Sequence, residues 1–431
     1  MEEKNILFKS IVDGSDWAMD EMARQASSEK GDGWPPTIIQ GLFTEYWRKV
    51  YNACQNGEPV AWINFGIPTE LFYAMDIVPV PADHISASAS SFGLAHKYND
   101  LAAEKVPEYL CSNNTILLGA MLAGDVSPPA VMIHPANPCD SNLGTYPVFS
   151  EYFKFPYFLI DMPYITTEKS IPYVANEYKK LIGLLEEKTG RKLDLDKLRQ
   201  VMEYSNTVHK NVLKLNELRE AVPSPYSSQE VMLECGLLLN QVGTPQLAEY
   251  FQKRYEFVKA KVEKGEGYMT RDQEKLRVVW IYGAPVFDYG IYDWCEEEYG
   301  AVLVSQLNNN FINEPVEDIS DIDSILNGLA QKLVLMPMTR ECGGPWENYL
   351  NNSLDLLRRY KADAGVFGGN VACKSNWAVA KLVKDKIQEE MGIPICNLEL
   401  DLFDDRIASS DTIKMQLGQY FEMILKRKQQ G

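Results

Sequence analysis

Basic side chains are in short supply in this 431-residue chain: 42 Lys and Arg stand against 60 Asp and Glu, a formal charge of -18. Nucleic-acid binding is built on clustered cations that neutralise phosphates, so this balance argues against a nucleic-acid partner. Any phosphorylated ligand must be met locally. Long apolar runs are missing as well. No uninterrupted stretch approaches the ~20 residues of a membrane span, and the opening MEEKNILFKS lacks the basic-then-apolar layout of an export signal. A cytoplasmic protein with no membrane association is therefore expected. There is no CxxC, no GxxxxGK[ST], no GxSxG and no HExxH. The chain itself thus advertises neither nucleotide hydrolysis, nor a serine nucleophile, nor a zinc protease centre. Histidines number only four.

What is present is an ordinary globular composition, 45% apolar and 24% charged, with enough length for two or three domains. Residues 1–58 read as an N-terminal helical segment around the patch GDGWPP. From Pro59 the pattern changes: strand-like runs AWINF, IVPV, PAVMIHP and PYFLIDMP alternate with helical segments such as NTILLGAMLAG, which defines a first α/β domain over 59–165. Between 166 and 275 the strands vanish and apolar positions recur three and four apart, a helical connector. LRVVWIYGAP, GAVLVSQL, KLVLMPM, DAGVFGG and IPICNLELD then restore the alternation in a second α/β domain over 276–431. The expected class is α/β, with two doubly wound parallel-sheet domains facing across a cleft. FPYFLIDMP and GIPICNLELD share an outline, but no residue-level repeat marks a duplication.

Ligands of open parallel sheets sit beyond the carboxyl ends of the strands, where helix N-termini offer unpaired N–H groups. Three of the eight cysteines fall there. Cys139 follows PAVMIHP in the loop NPCDSN, Cys373 follows DAGVFGG and starts a helix, and Cys111 opens the helix CSNNTILLGAM. Thiolates at such places can hold a soft metal centre; a cysteine is equally at home as a small buried hydrophobe. Cys342, placed after KLVLMPM, reads either as a fourth ligand or as a neighbour of the site. Cys54, Cys235, Cys295 and Cys396 lie inside helical or strand patterns and read as packing.

His84 and His134 sit beside strand ends and are candidates to move protons in the cleft, against the reading of satisfied structural histidines. His96 and His209 read as surface or helix residues. DLFDDR (401–406) is either a charged site loop or a solvated cap.

With these residues in hand, the chain after about residue 58 resembles the family that unites ATP-dependent benzoyl-CoA reductases with 2-hydroxyacyl-CoA dehydratases. The likeness rests on GEPVAWINFGIPTELFYAMDIVPV, YLCSNN, NPCDSN followed by PYFLIDMPY, and ADAGVFGGNVACKSN leading to GIPICNLELDLFDDR. The resemblance implies a 4Fe-4S cluster held by Cys111, Cys139 and Cys373, with one iron open toward an acyl-CoA thioester and electrons delivered one at a time. It also implies a related second core subunit, a separate iron-sulfur ATPase as activator and a ferredoxin upstream, which accounts for the missing phosphate loop. Dehydratases of this type carry a Trp-Ser-Thr-Ser-like run before the Pro-x-Glu block, and a glutamate shortly after the next strand. Here the run is Trp62, Ile63, Asn64 and Phe65, with Asp83 where the glutamate would fall. Phe65 cannot hold a leaving hydroxyl but can line a pocket for a flat ring, which turns the expectation toward a benzoyl-CoA reductase-type subunit and away from a dehydratase. Asp83, His84 and His134 are the expected proton donors, Glu70 a cap or structural anchor, and Arg340, Lys374 and Arg406 the candidates for CoA phosphates. A non-catalytic electron-transfer or ligand-binding subunit is the alternative from another class.

Overall fold

The computed structural model describes residues 5–26, 33–107 and 109–430. Residues 1–4 of the opening stretch and Gly31 and Asp32 of the GDGWPP patch lie outside these. Two helices come first, α1 (Ile6–Ala26) and α2 (Thr37–Asn56). A first α/β run follows: β1 (Val60–Ile63), α3 (Glu70–Ala74), β2 (Val78–Pro81), α4 (Ala82–Ser91), α5 (Ala95–Ala103), α6 (Ser112–Leu122), β3 (Val131–Pro135), α7 (Asp140–Phe153) and β4 (Tyr157–Ile160). Helices α8 (Ser170–Thr189), α9 (Leu195–Leu218), α10 (Ser228–Asn240) and α11 (Pro245–Glu263) fill the stretch read as a connector. The second run is β5 (Leu276–Trp280), α12 (Gly290–Tyr299), β6 (Ala301–Gln306), α13 (Ile322–Leu335), α14 (Pro337–Cys342), α15 (Trp346–Arg359), β7 (Ala364–Asn370), α16 (Lys374–Met391), β8 (Ile395–Leu400) and α17 (Ser410–Gln430).

The strands make two four-stranded, all-parallel sheets, ordered β2-β1-β3-β4 and β6-β5-β7-β8. In each, the chain starts at an inner strand, steps outward, then crosses back, so a switch point lies between β1 and β3 and another between β5 and β7. Sequence alternation explains how each sheet is covered. Trp62, Val80 and Met132 face one apolar layer with residues of α2, α4 and α6, while Ala61, Ile63 and Ile133 face another with α8, α9 and α13. Val278 and Trp280 point into the layer of α10, α12 and α17; Val279 and Ile281 point into that of α15 and α16. Strands buried on both faces read as unbroken apolar runs, which is why LRVVW and VMI were easy to find.

One expected strand is a helix. KLVLMPM spans the end of α13 and the start of α14, and Ile325, Leu326, Leu329, Ala330 and Leu333 are all fully buried at helical spacing. A short apolar run is ambiguous between buried strand and buried helix, and here the preceding turn decides: Asp321 caps α13 by accepting from the backbone N–H of Asp323 and Ser324. Cys342 consequently ends a short helix and does not follow a strand. Helix α13 leaves the second run and packs on the first sheet beside α8. A buried ion pair fixes it there, Lys332 Nζ lying 2.8 Å from Glu70 Oε1, with Ser205 Oγ 2.6 Å from the same nitrogen. Glu70 is thus the structural anchor expected of it.

DLFDDR is a site loop in part: Leu402 and Phe403 line the cavity described below, and two of its carboxylates tie the segment to the first run. Asp401 accepts from Ser112 Oγ, Asp404 accepts from Asn99 Nδ2 at 2.7 Å, and both carboxylates are buried. The segment after β8 therefore clasps α5 and α6 of the first run.

Candidate functional site

The carboxyl ends of β3 and β7 open into one cavity of about 620 Å³. Cys111, Cys139, Cys342 and Cys373 all line it, as do Phe65, Asp83 and His84. The facing sheets thus bring together sulfurs separated by up to 262 positions in the chain (111 to 373). All eight cysteines are free thiols.

Local structure fixes the three expected ligands alike. Cys111 is the N-cap of α6, Cys139 of α7 and Cys373 of α16, each with the extended backbone of a cap. At such positions the first helical N–H groups and the positive end of the helix favour a thiolate. Donors follow the sulfurs: Asn142 N–H to Cys139 (3.4 Å), Asn370 Nδ2 to Cys111 (3.5 Å), Asn376 Nδ2 (2.8 Å) and Tyr282 Oη (3.4 Å) to Cys373. Burial, reinforced by neighbouring acids and by the other sulfurs, pushes the thiols of Cys111 and Cys342 well up and that of Cys139 up to about 12. Soft sulfurs gathered on one wall with N–H and amide donors aimed at them form a donor set chemically suited to a metal centre, whose positive charge would offset the cost of ionising them there. The three sulfurs do not fall within the 4.8 Å of one another that would mark a single-ion site. A polynuclear cluster spreads its ligands over several metals, so a wider spacing is compatible with one.

The chain must come very close to itself here. A methyl group on Gly368 would sit 1.9 Å from the Gly283 carbonyl oxygen, and one on Gly369 2.3 Å from the Trp377 ring. The paired glycines let the end of β7 pass the loop after β5 and deliver Asn370 and Cys373.

Asp83, in the first turn of α4, accepts from Asn64 Nδ2 (3.0 Å), Phe65 N–H (2.9 Å) and Asn113 Nδ2 (2.6 Å). Burial nevertheless wins over these bonds and raises its pKa above the ordinary carboxylate value. His84 is neutral, burial pushing its pKa down to about 4. Asn240 Nδ2 donates to its Nδ1 at 3.3 Å, which leaves the ring proton on Nε2.

Not every expected residue reaches the cavity. His134 lies within β3 on the same sheet face as Met132, fully buried, edge-on to Tyr146 at 5.5 Å and absent from the cavity wall. Strand alternation turns it beneath α7 instead of outward. His209 is a helix residue, buried on α9, and His96 is exposed and lies 2.6 Å from Asp405, both in keeping with the expectation of surface or helix positions. Arg340 is paired with Glu341 at 2.5 Å and Arg406 with Asp404 and Asp100, both at 2.6 Å. Neither lines the cavity. Lys374, at the start of α16, does. Tyr282, Asn370 and Asn376 were missed by sequence reasoning; the only signal was an amide within three residues of a candidate cysteine. Cys235, read as packing, also lines the cavity.

Among known proteins, the family described as 2-hydroxyglutaryl-CoA dehydratase, D-component, matches residues 64–424. The (R)-phenyllactyl-CoA dehydratase alpha subunit of Clostridium sporogenes is 21% identical over 88% of this chain and 92% of its own length. The (R)-2-hydroxyisocaproyl-CoA dehydratase alpha subunit of Clostridioides difficile is 21% identical over 91% and 96%. A benzoyl-CoA reductase subunit of Thauera aromatica is 22% identical over 74% and 78%. No described helix is long and apolar enough to cross a membrane.

Proposed function

Since the chain belongs to the 2-hydroxyglutaryl-CoA dehydratase, D-component family, we propose that it is the iron-sulfur core subunit of a benzoyl-CoA reductase-type enzyme that reduces an aromatic acyl-CoA thioester. The carrying observation is the convergence of three N-cap cysteines, Cys111, Cys139 and Cys373, on one cavity with an aromatic wall. A 4Fe-4S cluster held by these three supplies single electrons at low potential.

The chain's own residues do the rest. Phe43, Trp47, Phe65 and Phe149 form an apolar wall that receives a flat acyl group and excludes water. Asp83, beside the cysteines, and His84, whose ring proton is on Nε2, are the two groups placed to pass protons. Lys374 is the basic group available to a CoA phosphate. Each of the relatives is itself one subunit of its enzyme, which supports a second, related core subunit as partner. The absence of a phosphate loop in this sequence supports a separate ATPase activator fed by ferredoxin.

A dehydratase reading has its own support, since the match covers 92% and 96% of two dehydratase alpha subunits against 78% of the reductase subunit. Single-turnover assays under anaerobic conditions, with partner and activator present, decide between them. Offered benzoyl-CoA and a panel of 2-hydroxyacyl-CoA thioesters, the enzyme is expected to form a cyclic dienoyl thioester from the first. Release of an enoyl thioester from the second group, with benzoyl-CoA untouched, would replace the reductase reading by the dehydratase one.

A further inference from the structure

The two α/β runs carry their cysteines at corresponding places. In the first, Cys111 precedes the helix leading into the third strand, β3, and Cys139 caps the helix after it; in the second, Cys342 precedes the helix leading into the third strand, β7, and Cys373 caps the helix after it. The sheets share one strand order, and the spacings within the pairs are nearly equal, 28 residues (111 to 139) and 31 (342 to 373). All four sulfurs line the same cavity. Cys342 is therefore the topological counterpart of Cys111.

Its surroundings differ in one respect. Cys111, Cys139 and Cys373 sit at helix N-termini, whereas Cys342 sits at the carboxyl end of α14, where no unpaired helical N–H groups are on offer to a thiolate. A carboxamide joins it to the others: Asn376 donates Nδ2 to Cys373 Sγ at 2.8 Å and accepts from the Cys342 thiol through Oδ1 at 3.5 Å. In the protein without substrate, we propose, Cys342 is the fourth protein ligand of the cluster, closing the iron that the three N-cap cysteines leave open, and the acyl thioester displaces it. On closure the Cys342 thiol gives its proton to solvent as the sulfur–iron bond forms; on displacement that bond breaks and the thiol is reprotonated. No electron changes hands in either direction. The weaker setting of Cys342 makes it the one ligand of four suited to leave, and Asn376 is placed to receive its S–H when it does.

This inference rests on the iron-sulfur reading above, and its test separates the two. The full chain is prepared anaerobically with its iron, exposed to one equivalent of ferricyanide, and assayed for iron content and for the paramagnetic signal of a three-iron cluster. Wild type is expected to keep four irons. Cys342→Ala and Cys342→Val, a smaller and a larger side chain that cannot bind iron, are expected to lose one iron and show the three-iron signal; either suffices if the other fails to fold. Cys396→Ala, on β8 away from the cavity, is expected to behave as wild type. Wild type losing one iron as readily as the variants would overturn the fourth-ligand role and leave the cluster intact as an idea; wild type holding no iron would overturn both.

Discussion

The two sheets are built to one plan and furnished differently. At its cavity edge the first places Asp83, His84 and Phe65, and gives Cys139 backbone donors, from Asn142 and Ser141. Among the described residues the second places no carboxylate or histidine on the wall, and it surrounds Cys373 with side-chain donors, the Tyr282 hydroxyl and the Asn376 amide, while its Asn370 reaches across to Cys111. On the function proposed above, one half handles protons and the acyl group, and the other tunes sulfur. The lesson is that a shared strand order sets where ligands converge, and the loops after the first and third strands set what is done there.

This division is open to attack by substitution. Removing a thiol should cost most: Cys373→Ser is expected to abolish turnover and lower iron content, read by iron and sulfide analysis, and unchanged iron would strip the residue of its ligand role. Breaking the ion pair that holds α13 against the first sheet comes next. Lys332→Met leaves Glu70 buried without its cation and is expected to cost about 3–5 kcal/mol in urea unfolding. Asp83→Asn tests the proton-handling half: iron content should hold while product formation falls about 100-fold or more. The sulfur-tuning half answers to Asn376→Ala, which removes a donor to Cys373 and is expected to lower the reduction potential in a spectroscopically followed titration while leaving the stoichiometry of iron alone. The smallest effect lies away from the site. Glu296 is buried and accepts from the Ser228 N–H and hydroxyl at 2.6 Å, yet burial pushes its pKa up to about 7 from an ordinary 4.5. A carboxyl raised in the folded state binds more protons there than when unfolded, so stability falls as pH rises from about 4.5 to 7. Glu296→Gln should flatten that slope in thermal melts at pH 5 and pH 8.

Much of the framework could be read directly from residues. Strands covered on both faces announce themselves as apolar runs, and cysteines just beyond them mark the switch-point edge. KLVLMPM misled because a buried helix and a buried strand are equally apolar over seven residues, and only the Asp321 cap upstream distinguishes them. His134 misled because proximity to a strand end says nothing about which face a side chain takes; one position along the strand reverses it. The partners of the sulfurs were invisible for another reason: Asn370, Asn376 and Tyr282 are common polar residues whose role exists only once chain segments far apart in sequence have met. The pairing of Glu70 with Lys332 is of the same kind, a contact across 262 positions.

The wide spacing of the cavity's sulfurs also constrains how the protein is made. Cys373 leaves the ribosome 262 residues after Cys111, and at about 5–20 residues per second that is roughly ten to fifty seconds. For all of that time the early thiols wait on a nascent chain with no enclosure around them. On the iron-sulfur reading proposed above, metal delivery follows the emergence of Cys373, and the interval is one in which oxygen finds the thiols exposed.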